Sequence, residues 1–507
     1  MQSLRGRSFC RVSQFCSANN FRLVSANVAV KHSDSVKTWQ EIPGPSSLPI
    51  IGQLHHFLPG GSLHNKNHAM YDILHKQYGP IVKIKFLGLP ILIIHLYDAD
   101  AVETVVRGED TLPARPAFLS LEYYRNNYMK DEISSNTNST GLITEHGERW
   151  KSMRSKVNPI MLQPKRVKLY SKILDKVSED MLDRLKSKLN NKNMIDGIRQ
   201  EMTMWSLEAV SVVSLGQRLN CFDPNLPADS PAKKLMKNMH DVFYMAENLD
   251  LKPSLWRYFS TPLFKTAMKT YEEQWQLSSY FVKKRIEALK KEGKKPDDET
   301  GILEKLLDID ERTAVLMAGD SLFAGIDTVS NVVISILYFL AQNPEKQEKL
   351  REEIISEDPK QSYLKACIKE ALRLIPITPA NLRKVSKEYD VLGYRIPKDA
   401  LVIMNHGVLC KMEEHYPKPD EFIPERWVVD KSDPLYYGHA HPFAYSPFGY
   451  GTRSCIGRRI AQLQMESFVP KIVRNFHVSW EGPPAEVDVA MSNYIKGDLP
   501  FVFKKLN

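Results

Sequence analysis

A single cysteine lies among glycines and arginines in the stretch SPFGYGTRSCIGRR, Ser446–Arg459. The residues after it, RRIAQLQMESFVPKIVRNF, have the pattern of a helix, which places Cys455 where a loop meets a helix. Free backbone N–H groups and the helix dipole favour negative charge there, so we expect a lowered thiol pKa and a thiolate. Such a thiolate can serve as a nucleophile, a redox group or a metal ligand.

The composition of the chain limits the classes of partner and the roles that its cysteines can have. The chain has 507 residues, 43% of them hydrophobic, which is enough for a large core and permits two or three domains. A net charge of +9 is too weak to indicate nucleic acid as a partner, and no nucleic-acid motif is present. The cysteines are too scattered for a disulfide framework or zinc site, which indicates a reducing compartment. They are Cys10, Cys16, Cys221, Cys367, Cys410 and Cys455.

The order of predicted elements favours one domain. Thr313–Gln342 is the longest candidate helix, stopped by Asn343-Pro344, and helical patterns also fill 147–291 with breaks near 224–231 and 253–262. A further helix is predicted at 361–374, and short strands are predicted near both ends of the chain, among them one over 400–409. Mainly helical content with a small β portion drawn from both ends indicates one compact domain, 53–507, after a proline-rich lead-in, 36–52.

The first 35 residues have the composition of a mitochondrial transit peptide. Arg5, Arg7, Arg11 and Arg22 lie among serines, and no acidic residue precedes Asp34. The alternative is a disordered basic tail. No apolar run reaches the roughly 18 residues that a membrane-spanning helix needs. The longest candidate, Val332–Ala341, is too short and belongs to a longer helix, so we expect no spanning segment.

The residues around Cys455 suit a flat metal-bearing ring bound to the sulfur. Gly451 and Gly457 let backbone approach such a ring, Phe448 shields the thiolate, and Arg453 can pair with a ring carboxylate. The alternative is a glycine-rich turn around a buried structural cysteine, but the pattern of matched positions disfavours it.

From about Ile42 onward, this pattern and three further motifs resemble the cytochrome P450 family of haem-thiolate monooxygenases. The resemblance implies a single-domain, mainly α fold with a long central helix over haem b, whose iron is ligated by Cys455. It also implies insertion of one oxygen atom from O2 into a lipophilic small molecule.

The motif AGIDT, Ala324–Thr328, lies within the long helix. Small residues at 324 and 325 leave room for a ligand, and the Thr328 hydroxyl can bond back to the carbonyl of residue 324, which bends a helix locally. The resemblance gives Asp327 and Thr328 a catalytic role in handling protons for O–O cleavage. Val329 departs from the family pattern, in which many members carry a second hydroxyl.

Two further sets follow from the resemblance. In the family, a Glu/Arg pair on one helix and a later Arg form an internal ion-paired triad, which here corresponds to Glu370, Arg373 and Arg426. Trp150, Arg154, Arg383 and Arg453 match residues that bind the haem propionates.

Lys365 and Lys369 resemble the docking lysines of animal mitochondrial members, which receive electrons from NADPH through a ferredoxin reductase and an adrenodoxin-like [2Fe-2S] ferredoxin. We expect their helix to bury Glu370 and to present both lysines to solvent. Without the family, the two lysines would be a solvated helix face. Location on the matrix side of the inner membrane follows. Peripheral membrane contact is predicted through 251–269, with a core helix as the alternative, because this segment mixes apolar and basic residues. They are Trp256, Phe259, Leu263 and Phe264 with Lys252, Arg257, Lys265 and Lys269.

The predicted pocket segments lie near Phe118 and at 239–249, 322–323, 377–381 and 493–495. They are largely apolar, which favours foreign-compound (xenobiotic) oxidation of the insect type. Steroid or sterol hydroxylation is the alternative, and a non-oxygenating haem-thiolate binding protein or isomerase is an alternative of another class.

Overall fold

A 32-residue helix, Glu311–Gln342, forms the centre of the molecule. The computed structural model describes residues 36–49, 51–66, 69–85, 92–129, 139–252, 254–293, 296–489 and 492–506. The Asp310 side chain caps the start of this helix by accepting the Thr313 N–H, and Pro344 begins the next helix. The helix observed is two residues longer at its N-terminal end than the predicted Thr313–Gln342.

The helices are numbered in chain order. They are α1 Met70–Tyr78, α2 Ala99–Arg107, α3 Leu119–Asn127, α4 Gly147–Met161, α5 Pro164–Lys168, α6 Ser171–Lys188, α7 Ile198–Ser214, α8 Pro231–Ala246, α9 Pro262–Glu292, α10 Ile302–Leu307, α11 Glu311–Gln342, α12 Pro344–Ile355, α13 Ser362–Leu374, α14 His406–Leu409 and α15 Arg458–Asn475. The two breaks predicted at prolines within 147–291 fall between α7 and α8 and between α8 and α9. The helix predicted at 361–374 is α13.

The strands come from both ends of the chain, as predicted. They are β1 Ile81–Lys85, β2 Leu92–Leu96, β3 Asn381–Lys384, β4 Tyr389–Val391, β5 Tyr394–Ile396, β6 Leu401–Met404, β7 Phe476–Trp480, β8 Val487–Val489, β9 Asn493–Ile495 and β10 Phe501–Lys505. The largest sheet has the order β1-β2-β6-β3, with β2 and β6 parallel and the other pairs antiparallel. The strand predicted over 400–409 is wrong in its second half, because the chain turns at Asn405 into α14.

The core is built mainly around α11. This helix packs against α7, α9, α13 and α15, and most of its apolar residues are buried. Among the described residues, α11 alone is long and apolar enough to cross a bilayer, but it is mostly buried in the protein interior, as core helices are. The predicted apolar run Val332–Ala341 lies inside it.

The fold class is confirmed as mainly α with a small β portion. Residues Lys37–Asn507 form one compact unit. The lead-in packs on the sheet region, where Lys37 accepts the Arg395 N–H at 2.8 Å and Pro43 accepts the Lys83 N–H at 2.9 Å. The predicted transit segment, 1–35, lies outside the described residues, as do Cys10 and Cys16. The four described cysteines are all free.

Candidate active site

The Cys455 loop is closed by its own backbone. The Cys455 N–H donates to the Phe448 carbonyl at 2.7 Å, and α15 begins three residues later. Gly449 and Gly451 have φ of 71° and 63°, a conformation that suits glycine. A Cβ on Gly457 would lie 3.9 Å from the cysteine Sγ, in van der Waals contact with it, so the glycine keeps this side of the sulfur free of a side chain. The loop thus presents one thiol at a helix start, as the sequence predicts.

The predicted lowering of the Cys455 pKa is wrong for the protein groups alone. Cys455 has an accessible face, unlike the three buried cysteines, yet the protein packed around it desolvates the thiol and raises its pKa. The Gly457 N–H and the charges of Arg154 and Arg115 lower the pKa, but burial outweighs them. A bound metal ion deprotonates a coordinating thiol outright, so the thiolate form depends on the metal more than on the helix start.

Four arginines surround this loop, and together they require an anion. Burial and mutual repulsion lower the pKa of Arg453 to about 9, with Arg115, Arg383 and Arg154 as its cationic neighbours. Burial likewise lowers the pKa of Arg154 to about 10, with Arg115 among the cations that add to the effect. The Nε atoms of Arg115 and Arg154 are buried without a hydrogen-bond partner. Such a cluster fits the two carboxylates of haem b.

The remaining contacts fix the arginines in place. Arg453 stacks its guanidinium on Trp150, 3.7 Å from the ring centre, and Arg154 donates to the Ser454 carbonyl at 2.7 Å. Arg383 forms an ion pair with Glu109, whose own pKa is raised by burial. The structure therefore brings all four predicted propionate-binding residues to one side of the cysteine loop. In this arrangement Trp150 supports Arg453.

Arg115 was missed by sequence reasoning. It lies in the stretch LPARP, and its only sequence signal is a cation between two prolines. Its pKa is lowered by burial and by the charge of Arg383, while Cys455 raises it. It belongs to the same group as the predicted arginines.

The AGIDT segment is partly as predicted. The Thr328 hydroxyl donates to the Ala324 carbonyl at 2.6 Å, and Ala324 is exposed, leaving open space beside α11. The role given to Gly325 is wrong, because this glycine lies against α7. A Cβ there would lie 2.8 Å from Val210 Cγ2, and the Gly325 carbonyl accepts the Ser206 hydroxyl at 3.0 Å. Gly325 thus allows two helices to pack closely.

Asp327 lies beside Thr328 in a largely desolvated position. Burial raises the pKa of its carboxyl, and the nearby charges of His240 and Arg199 lower it. Arg199 also donates to the Gly497 carbonyl at 3.3 Å, in the turn that follows β9. Arg199 of α7 and His240 of α8 were also missed, since neither lies near the AGIDT segment in sequence.

The predicted triad is assembled and fully buried. The Glu370 carboxylate accepts hydrogen bonds from Arg373 at 2.8 and 3.0 Å and from Arg426 at 3.0 Å, and none of the three side chains is exposed. Trp427 Nε1 donates to the same carboxylate at 2.9 Å, a partner that the sequence did not reveal. Both guanidinium groups also donate to backbone carbonyls of 410–421.

With this geometry in view, the sequence matches the family described as Cytochrome P450 over residues 42–493. The chain belongs to the cytochrome P450 family. It is similar to cytochrome P450 CYP12A2 of Musca domestica, with 36% identity and 88% of each chain covered. It is also similar to probable cytochrome P450 12b2, mitochondrial, of Drosophila melanogaster, with 34% identity over 92% of this chain and 89% of that relative. A solved structure, retinoic acid bound cyanobacterial CYP120A1, matches with a TM-score of 0.71 and 21% identity, covers 93% of this chain and 100% of its own, and shows the fold.

This cytochrome P450 is therefore a haem-dependent monooxygenase of mitochondria, and its cofactor is haem b. The Cys455 loop and the arginine cluster fit that group: one thiol is available for the iron and the cations for its carboxylates. Bound haem supplies the activation of O2, and the residues of the chain hold and orient the reactants.

The two predicted docking lysines differ from each other in the structure. Lys365 is exposed and donates to the Lys360 carbonyl at 2.6 Å. Lys369 is half-buried, with its ammonium 5.4 Å from the centre of the Trp427 ring and 5.8 Å from that of Tyr437. The expectation that both lysines point freely into solvent is therefore wrong for Lys369, which is stacked on aromatic rings.

The predicted membrane-contact segment also has two faces. Trp256 and Phe264 are buried and stack on each other at 5.4 Å, so they belong to the core. Leu255, Tyr258 and Phe259 are more than half exposed. The apolar surface that remains is thus different from the set predicted, which included Trp256 and Phe264.

Proposed function

We propose that this P450 oxidises lipophilic foreign compounds. Three aromatic rings cluster beside α11 at the residue before the exposed Ala324, and they would line an apolar pocket. Phe118 meets Phe323 edge-on, with ring centres 5.2 Å apart, and Phe243 stacks on Phe323 at 4.3 Å. These rings come from three of the five segments predicted to line the pocket. Flat or bulky apolar molecules gain the most from such a surface.

One observation supports a second substrate class, steroids or sterols. Arg199 and His240 act electrostatically on Asp327 of α11, so Arg199, and His240 when protonated, could orient a polar group of a steroid or sterol. The apolar rings favour the foreign-compound function, and the cations favour the steroid alternative. One panel of substrates of both classes therefore separates the two.

The catalytic proposal rests on Asp327 and Thr328. The Thr328 hydroxyl is anchored on the Ala324 carbonyl, next to open space, and can present its oxygen lone pairs there. Burial raises the pKa of the Asp327 carboxyl, and the charge of Arg199, together with that of His240 when protonated, lowers it, which suits a group that gains and releases a proton. In this scheme the Asp327 carboxyl would take up protons from the surface, and the Thr328 hydroxyl would hold a proton beside the open space next to Ala324.

The electron donor in this proposal is an acidic [2Fe-2S] ferredoxin that docks near Lys365. Arg458, at the start of α15, is also exposed and acts on Cys455 electrostatically, so the surface nearest the thiol is positive. The arginine cluster would bind the haem propionates, and the Glu370 triad would brace the chain on the haem side.

Contact with the inner membrane is proposed through Leu255, Tyr258 and Phe259, flanked by the exposed Lys252 and Arg257. Residues 1–35 would direct the chain to the matrix and then be removed, leaving the lead-in and the domain 53–507. Release of the mature protein by alkaline carbonate is expected. Retention in the membrane pellet would contradict a peripheral location.

The function is tested by reconstitution of the haem-loaded protein with ferredoxin, its reductase and NADPH. The substrate panel contains insecticide-like compounds and sterols, and product is measured with and without each protein. Electron-dependent formation of hydroxylated product from the first class supports the proposal. Product only from sterols would favour the steroid alternative. Binding of panel members without turnover would favour a non-oxygenating binding protein or isomerase.

A further inference from the structure

The first turn of α3 is capped by a carboxylate from a distant part of the chain. The Ser120 N–H donates to Asp250, 3.0 Å from Oδ1 and 3.2 Å from Oδ2, and the Ser120 hydroxyl donates to Oδ2 at 2.9 Å. Asp250 lies in a π-helical turn, Glu247–Leu251, directly after α8. A carboxylate at a helix start satisfies free N–H groups and opposes the helix dipole. Asp250 therefore joins α3 to the end of α8.

The residue at the capping position of α3 does not cap the helix with its own side chain. Phe118 has a left-handed backbone, with φ 58° and ψ 48°, and makes no side-chain cap. This conformation is strained for a bulky residue and persists only where its surroundings hold it. It aims the Phe118 ring at Phe323, the residue before Ala324. The position of this ring in the pocket thus depends on the backbone that Asp250 holds.

The later turns of α3 are anchored separately. The Tyr124 hydroxyl donates to Glu272 of α9 at 2.5 Å, and Arg125 pairs with Asp320 of α11 at 2.6 Å in a buried ion pair. Loss of the Asp250 cap therefore frees the Ser120 N–H at the start of the helix, beside Phe118. The later turns stay in place, as does the 2.8 Å bond between the Ser120 and Tyr271 hydroxyls.

We propose that Asp250 is a positioning residue for the oxygenation reaction. Through Ser120 it holds Phe118 against Phe323 and so limits the rates at which lipophilic ligands enter and leave the pocket. The inference rests on the proposed function, because it takes this pocket to be the substrate pocket. Asp250 acts through α3 and touches no reacting atom.

The chain offers a matched control. Glu353 of α12 accepts the N–H groups of Tyr363 at 2.7 Å and Leu364 at 2.8 Å, and so caps α13 from a neighbouring helix. Gln361, at the start of α13, is also left-handed, with φ 46°. Glu353→Ala removes an equivalent cap away from the three pocket rings.

The first measurement is hydrogen exchange of residues 118–127 in the haem-loaded protein. Asp250→Ala should speed exchange there by about fivefold, the factor expected for a lost helix cap. Asp250→Asn, which keeps an oxygen acceptor, should restore near-parent exchange, and Glu353→Ala should leave these residues unchanged. Ser120→Ala keeps the backbone bond and should give a smaller increase. It also provides a measurement if Asp250→Ala does not fold.

The second measurement is stopped-flow binding of 4-phenylimidazole, followed by the haem absorption. Asp250→Ala should raise both association and dissociation rates by roughly threefold or more, and Glu353→Ala should raise neither. Unchanged exchange in 118–127 would overturn the cap. Faster exchange with unchanged ligand rates would overturn the positioning role. Failure of the proposed function would show itself differently, as normal ligand binding without any oxygenated product.

Discussion

Arg426 donates its Nε–H to Glu370 at 3.0 Å across 56 residues of sequence, and neither side chain is exposed. Arg373 holds the other side of the same carboxylate, and Trp427 and the Ile423 N–H complete its shell. A buried carboxylate between two guanidinium groups is tolerable only while every partner is present, because each charge has lost its water. This relationship makes the haem-side core sensitive to single changes.

We predict that Glu370→Gln leaves two buried guanidinium groups without their counter-charge. The expected loss is about 3–5 kcal/mol in the free energy of unfolding, together with a lower haem content. Denaturant unfolding of the haem-loaded protein measures the first and pigment absorption the second. Glu352→Gln changes an exposed glutamate of α12 and should alter neither quantity. A Glu370 variant as stable as the parent would show that the triad does not stabilise the fold.

Cys455→Ser should remove the thiol that the loop presents. The reduced CO complex is then expected to lose the red-shifted absorption of thiolate-ligated haem, and product formation should fall below detection. Cys221→Ala, at a buried cysteine of the core, is the control and should keep the absorption. If the Cys455 variant retains it, another residue binds the iron.

Thr328→Ala should separate electron use from product formation. The variant loses the hydroxyl next to Ala324, so NADPH consumption should continue while a larger share of electrons appears as hydrogen peroxide. Ser335→Ala is matched to it, because the Ser335 hydroxyl makes the same kind of bond to the Asn331 carbonyl, at 2.9 Å, in the same helix. Unchanged coupling in the Thr328 variant would remove the proton role, and a loss in both variants would indicate a general effect on α11.

The residues that could be predicted from sequence share one property: their signal is local. The Thr328 back-bond spans four residues and the Glu370–Arg373 pair spans three, so helical periodicity alone brings the partners together. The Cys455 loop is likewise contained within one stretch. Joining Arg426 to this pair, or placing four arginines at the cysteine, required the family resemblance, because spacing does not show long-range contacts.

The wrong and missed predictions also come from contacts between residues that are distant in sequence. Gly325 was assigned to a ligand because nothing in the AGIDT segment shows that Val210 of α7 packs there. Burial, which raises the Cys455 pKa, depends on all the surrounding elements, whereas the helix-start argument considered one. Arg115 and Asp250 were missed because each acts on a partner far away in sequence.

Stability should fall as the pH drops below the ordinary histidine range. Burial lowers the pKa of His95 to about 4, so the folded protein keeps this ring neutral while the unfolded chain takes up a proton near pH 6.5. The contribution of His95 to the free energy of unfolding is fully present above pH 6.5. As the pH falls from 6.5 to 4, up to about 3 kcal/mol of it is lost. Denaturant unfolding at several pH values measures it. Burial lowers the pKa of His406 to about 4 as well, so His95→Asn should reduce the slope in this window without removing it. An identical slope in both proteins would contradict the assignment.

Lys365 and Lys369, at the proposed ferredoxin-docking surface, should respond differently to charge reversal. Lys365 is exposed, so Lys365→Glu should lower the rate of reduction by ferredoxin by roughly tenfold at low salt and weaken its salt dependence. The CO spectrum and the stability of the Lys365 variant should stay normal.

Lys369→Glu should in addition lower the free energy of unfolding by about 1 kcal/mol, because the variant loses the contact between the Lys369 ammonium and the Trp427 ring. Stopped-flow reduction at several salt concentrations measures the rates, with Lys284→Glu on the exposed side of α9 as control. Equal rates for the parent and the Lys365 variant at low salt would place the docking site elsewhere.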